Sequence, residues 1–360
     1  MSETNDTGAL VQGQARPTPR EWMGALPTWW VPAVALLVLI VGTILIEWST
    51  KGSSTFISPE NLLNILRQWS FVGIIAVGMT FVIILGGIDL SVGSLVAFLG
   101  GLGILLMNHL MGQGWGELSA ATVAFAVMIS LGAVAGVLNG TLITRGKLAP
   151  FIATLGGLAA YRSLALALAD GGEFRSASAE WFKALGTGGL AIPGTNIAPR
   201  APEPIPLLFP WPVVIFFVLA ASAWVLLNLT RYGRYVIAIG SNERAAVYSA
   251  IPVNRVKLLT YSLLGLCVGI SGALLSSRMN SVSSSGTGLL YELDVIAAVV
   301  IGGTRMRGGA GTIAGTVIGV LILGVVGNML NLLQVSVYLQ GLVKGVIIIG
   351  AVLLQRAERL

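Results

Sequence analysis

Residues 86–94 read Gly86-Gly87-Ile88-Asp89-Leu90-Ser91-Val92-Gly93-Ser94. Apolar runs close on both sides, FVGIIAVGMTFVIIL over 71–85 and LVAFLGGLGILLM over 95–107. Each run is long enough for much of a membrane-crossing helix. A carboxylate and two hydroxyls in such a place are costly unless shielded from lipid. The glycines permit a break in the helix, and broken helices at membrane depth are tolerated where they face protein or a wet cavity. Two readings of Asp89, Ser91 and Ser94 stay open. They line a groove that offers hydrogen bonds to a polar solute, or Asp89 and Ser91 cap the following helix at the membrane surface and meet no solute.

The whole chain fits a membrane setting. Its 360 residues are 55% hydrophobic and 10% charged, with a mean hydropathy of +0.87. A soluble domain carries about 25% charged residues, so this surface is too poor in charge to face water throughout. The expected fold class is an all-α polytopic membrane protein. About ten apolar runs suit a hydrocarbon core roughly 30 Å thick. They fall near 29–48, 67–86, 90–110, 118–143, 148–169, 210–229, 257–277, 290–303, 309–329 and 337–355. The eighth is short enough to be only partly inserted.

Charge orients these spans. With the N-terminus inside, the cytoplasmic connections hold Arg145 and Lys147; then Arg231, Arg234, Arg244, Arg255 and Lys257; then Arg305 and Arg307, with Arg356 and Arg359 in the tail. The opposite connections hold Lys51 and a balanced set from Asp170 to Glu203. The bias follows the positive-inside rule, with both termini cytoplasmic. Residues 1–28 form a polar, proline-containing cytoplasmic tail without the features of a cleavable signal peptide. Residues 29–355 make the membrane domain, 170–209 a long periplasmic connection, and 356–360 a short cytoplasmic tail.

Glycine numbers 47 residues, nearly twice the usual roughly 7%. Gly132, Gly136 and Gly140 share one helical face, as do Gly265 and Gly269, and Gly311, Gly315 and Gly319. Such stripes let helices pack backbone to backbone. Enzyme chemistry has little to work with. There is one histidine, His109, and one cysteine, Cys267. Gly146-Lys147 lacks the upstream glycine of a phosphate loop. No cofactor, metal site or nucleic-acid partner is expected. Arg162 lies fifteen residues beyond Lys147, about 22 Å along a helix. It should snorkel outward or pair with an acid, with Asp170 and Asp294 as candidates. Asp294 either caps a helix at the outer surface or takes part in transport.

The connection 230–257, TRYGRYVIAIGSNERAAVYSAIPVNRVK, has five basic residues and one acid. Ser241 or Asn242 suits an N-cap, Glu243 a first turn, and Ile251 before Pro252 a stop. A helix of about two turns results, including Arg244, Ala245, Ala246 and Ser249.

Four segments in this order carry a resemblance: GGIDLSVGS (86–94), RGKLAPFIATLGGLAAYRS (145–163), GRYVIAIGSNERAAVYSAIPVNRVK (233–257) and YELDVIAAVVIGGTRMRGGAGTIAGTVIG (291–319). Together they resemble the permease subunit of bacterial ribose-type ABC importers, which also serve xylose, arabinose and galactose. The resemblance covers roughly residues 58–355. It implies a pore of two permease subunits, a cytoplasmic ATPase and a periplasmic sugar-binding protein. It also implies that Asn242–Ile251 receives the ATPase. Ala250 stands where the family loop usually has glycine, and Arg305 and Arg307 make their connection more basic than usual. The related branched-chain amino-acid permeases, an ion-coupled sugar transporter and a membrane enzyme or scaffold are the alternatives.

Overall fold

A computed structural model describes residues 29–178, 180–195, 206–336, 339–343, 345–346 and 349–350. The two expected tails, 1–28 and 356–360, lie outside the described residues. Among the described residues, eight helices are long and apolar enough to cross a membrane. They are α1 (Trp30–Lys51), α2 (Pro59–Ile84), α3 (Val92–Gly112), α4 (Glu117–Thr144), α5 (Pro150–Leu168), α7 (Trp211–Leu229), α10 (Val253–Met279) and α12 (Ile313–Leu332). Shorter helices are α6 (Trp181–Thr187), α8 (Arg231–Ser241), α9 (Glu243–Tyr248) and α11 (Tyr291–Ile301).

Two of the ten expected spans stand apart from these eight. The tenth, 337–355, falls on a stretch interrupted and ended by residues outside the described ones. The eighth corresponds to α11, whose 11 residues rise only about 16 Å. α2 begins eight residues before the apolar run at 67. The Ser58 hydroxyl accepts from the Asn61 N–H at 3.2 Å, and Pro59 opens the first turn.

α2 is the centre of the bundle. Phe71, Ile74, Ile75, Met79, Phe81, Ile83 and Ile84 are all buried, on every side of the helix, as expected for a helix enclosed by others. Around it, α4 and α10 lie against each other along glycine. A Cβ on Gly132 would stand 2.4 Å from the Gly265 carbonyl oxygen, and one on Gly136 2.1 Å from that of Tyr261. Gly269 faces the Met128 backbone. α12 meets α11 likewise, with Gly315 on the Gly302 carbonyl and Gly319 on that of Ala298. Gly140 meets Leu258; Gly311 is not on the helical face expected for it, because it precedes the extended N-cap Thr312 of α12, and it meets Thr304.

One end of the bundle carries 230–257 and is called here the basic end. The other, the loop end, carries 170–209. There β1 (Glu173–Arg175) pairs antiparallel with β4 (Ser281–Ser283), and β2 (Gly189–Ala191) with β3 (Leu208–Pro210). Phe174 and Phe182 anchor these pieces in a second apolar cluster with Ile104, Met107 and Met128. The connection is therefore a folded cap over the described part of its length.

After β4 the chain turns back into the bundle. Val282 sits against Gly100 of α3, and Gly288 against Gly93. Seven positions along α3 are about 10 Å, so residues 282–288 descend alongside it before α11 starts. Leu290, the residue before α11, is left-handed at φ +62°.

Candidate functional site

The quoted stretch breaks the helix as the glycines suggested. α2 stops at Ile84, Gly86 is left-handed at φ +85°, and residues 88–91 carry no helical hydrogen-bonding pattern before α3 begins at Val92. Asp89 is 3% exposed. Its Oδ1 accepts from the Ser91 N–H at 2.8 Å and the Ser91 hydroxyl at 2.6 Å; its Oδ2 accepts from the Asn139 amide at 3.1 Å. Asn139 also donates to the Ser91 hydroxyl oxygen at 3.1 Å, and the Ser94 hydroxyl donates to the Ser91 carbonyl at 2.9 Å. Ser91 takes the N-cap position of α3, but its hydroxyl makes no side-chain cap bond. Asp89 thus ties the break to α4, well inside the protein.

Next to this pin lies a cavity of about 330 Å³. Its polar lining is Ser94, Arg162, Ser285 and Glu292, set among Leu158, Leu166, Leu289 and Leu290. Arg162 Nη1 donates to the carbonyls of Ser284 at 2.8 Å and Thr287 at 3.1 Å. It thereby holds the descending segment against α5. Neither Asp170 nor Asp294 lines the cavity; the carboxylate that does is Glu292. Asp294 is half-buried in the first turn of α11, and its N–H donates to the Leu290 carbonyl. A larger hollow of about 420 Å³, between α7, α12 and Trp29, has an almost wholly apolar lining.

At the basic end, α8 starts from Thr230, whose hydroxyl accepts from the Gly233 N–H at 3.2 Å. Its Gly233, Val236 and Ile239 are buried while Arg231 and Arg234 are exposed. Burial pushes the Tyr232 phenol up to about 12, and its bond to the Thr260 hydroxyl works in the opposite direction. Asn242 caps α9, accepting from the Ala245 N–H at 3.1 Å. α9 ends at Tyr248, three residues before the expected stop, because Ala250 is left-handed at φ +57°. From Ser241 to Ala250 only Ala246 is buried, and Tyr248 is 88% exposed. Glu243 pairs with Lys257 at 2.7 Å, an exposed pair worth at most about 1 kcal/mol.

The structure thus separates the five groove candidates. Ser94 and Arg162 meet at the cavity; Asp89 and Ser91 lie behind it; Asp294 is on α11. Sequence reasoning missed Asn139, Ser285 and Glu292. Asn139 had one signal, an amide between Leu138 and Gly140 in an otherwise apolar run.

Residues 61–352 match the family model described as "Branched-chain amino acid transport system / permease component". The chain is 41% identical over 343 residues to the ribose import permease protein RbsC of Bacillus subtilis (strain 168), covering 91% of this chain and 92% of the relative. It is 39% identical over 328 residues to RbsC of Escherichia coli (strain K12), with the same shares. With the xylose transport system permease protein XylH of that strain it shares 32% over 370 residues, again 91% and 92% of the two chains. No solved structure matches it. A family match over most of the chain, together with full-length relatives at this identity, makes the protein a member of this family of transport-system permease components.

Proposed function

We propose that the chain is the membrane-spanning permease subunit of an ATP-driven importer in a bacterial inner membrane, and that it passes a ribose-like monosaccharide. The observation that carries this reading is the 41% identity to a ribose import permease across nine-tenths of both chains. The basic end faces the cytoplasm, by the distribution of arginine and lysine. Both tails lie there, and residues 29–355 form the membrane domain. The 170–209 cap faces the periplasm and meets a sugar-binding protein. The exposed α9, with Glu243, Arg244, Ser249 and Ile251 around it, receives a separate ATPase. A second permease subunit completes the pore.

Solute passes by the cavity of Ser94, Arg162, Ser285 and Glu292. A sugar is a polyol, and this lining offers it hydroxyl, guanidinium and carboxylate partners among leucines without enclosing it. The chain makes no bond. Nucleotide binding in the partner supplies the free-energy difference between outward and inward states. The family model's own description favours a second reading, a branched-chain amino-acid permease.

One experiment tests both. The permease is reconstituted in proteoliposomes with its ATPase and binding protein, and labelled ribose and leucine are offered. ATP-dependent ribose uptake supports the proposal. Leucine uptake would replace it with the second reading, and uptake driven by an ion gradient alone would refute ATP coupling.

A further inference from the structure

The basic end contains a joint that the transport reading above does not use. α8 ends at Ser241, immediately before α9, and its Gly240 rests on the end of α2. A Cβ at Gly240 would stand 1.7 Å from the Ile84 carbonyl oxygen and 2.7 Å from the Gly309 nitrogen. The same Ile84 carbonyl accepts the Gly309 N–H at 2.8 Å. Gly308 and Gly309 are left-handed, at φ +85° and +78°. A Cβ on Gly308 would be 2.9 Å from the Gly240 and Ile84 oxygens, and one on Gly309 2.6 Å from the Ser241 hydroxyl oxygen and 3.0 Å from the Ser241 Cα. The tight turn is closed by two bonds, Arg305 N–H to the Ala310 carbonyl and Gly308 N–H to the Arg305 carbonyl, both at 2.9 Å. Three backbones therefore meet at the Ile84 oxygen, and the Ser241 hydroxyl is the side chain that touches the joint, at Gly309. They come from the α8–α9 corner, the end of α2 and the turn joining α11 to α12.

We infer that this glycine joint is the transmission element of the transporter: displacement of α9 passes through Gly240 and Gly309 to the Ile84 carbonyl, and so into the broken segment 86–91. The inference rests on the reading of α9 as the ATPase contact. Backbone pressed on backbone has no rotamer to absorb a shift, so movement of the corner is passed on. Two residues beyond Ile84 the helix is already broken at Gly86, and the segment runs to Asp89 and Ser91, which are tied to α4 through Asn139. The turn at 305–311 carries the same movement to α11, whose first turn holds Glu292 at the cavity. Gly240 and Gly309 are then positioning residues and touch no solute.

The test uses the full complex in proteoliposomes with Gly240→Ala. Three quantities are read: ATPase retained on purification, ATP hydrolysis, and ATP-driven ribose uptake. The ATPase should copurify and hydrolyse ATP while uptake falls roughly tenfold, within the span of couplings carried by one conformational element. Unchanged uptake would overturn the inference. A merely structural role would lower hydrolysis and uptake together, and that result would overturn it as well. Should the variant fail to assemble, hydrogen exchange on the wild-type complex decides. ATP binding should alter exchange at 84–91 and 305–311 along with 240–250; a change confined to 240–250 would overturn the inference. Failure of the docking reading looks different, because wild-type permease would then hold no ATPase at all.

Discussion

Asp89 answers three donors at once, so its removal strands all of them in a place water does not reach. Each buried donor left without a partner costs about 1–3 kcal/mol. Asp89→Asn is the sharper probe, because it keeps the shape and turns an amide towards the amide of Asn139. We expect Asp89→Asn and Asn139→Asp each to lower the thermal stability of detergent-purified protein. The double exchange should recover most of the loss, since carboxylate and amide have only traded places. Additive losses in that cycle would show that the two side chains are not coupled. Ala250 gives a second probe. A left-handed backbone costs a non-glycine residue about 1–2 kcal/mol, and glycine returns roughly 0.5–1 of that as lost unfolded-chain entropy. Ala250→Gly should therefore slow limited proteolysis of the exposed α9 loop about two- to fivefold, where cleavage follows local opening. Faster cleavage would contradict the left-handed assignment.

The elements to which the proposed function gives movement or binding are the short ones. The descending segment that leads into α11 is held to α5 by Arg162, which grips two carbonyls with one guanidinium nitrogen. Lysine keeps the charge, but its side chain is one bond shorter, so its nitrogen falls short of the point from which Nη1 reaches both carbonyls. Losing one charge-assisted bond is worth about 1.5 kcal/mol or more, so Arg162→Lys should cut ribose uptake roughly tenfold. ATPase copurification should stay intact, and normal uptake would remove Arg162 from the pathway. Much of this level was legible in the sequence. The break at Gly86–Gly87 follows from glycine beside a carboxylate in an apolar run, and the shortness of α11 from the brief run at 290–303. The depth of α11 was not legible. It depends on Gly288 and Val282 pressing onto Gly93 and Gly100, and apolar periodicity carries no register between separate segments. The Asp89–Asn139 pair was hidden for a related reason: fifty residues separate them, and a single amide in an apolar run does not name its partner.

At the scale of the whole molecule, the spans and the distribution of arginine and lysine stand on independent physics, and they agree. Hydrocarbon thickness sets the first, and the cost of moving cations across the membrane biases the second. Each helix from α2 to α5 reverses direction, and Arg145 and Lys147 come to the same end as α8 and α9, because Gly140 near the end of α4 meets Leu258 near the start of α10. Orientation can be tested without reference to transport. The native Cys267 is buried, so in a Cys267→Ser background single cysteines report only their own side of the membrane. Tyr248→Cys lies on the exposed α9, and Lys183→Cys on the exposed side of α6 in the cap. In intact cells a membrane-impermeant maleimide should label position 183 and leave position 248 unreacted until the membrane is opened. The reverse pattern would invert the bundle. It would also remove α9 from the reach of any cytoplasmic ATPase, whatever the solute proves to be.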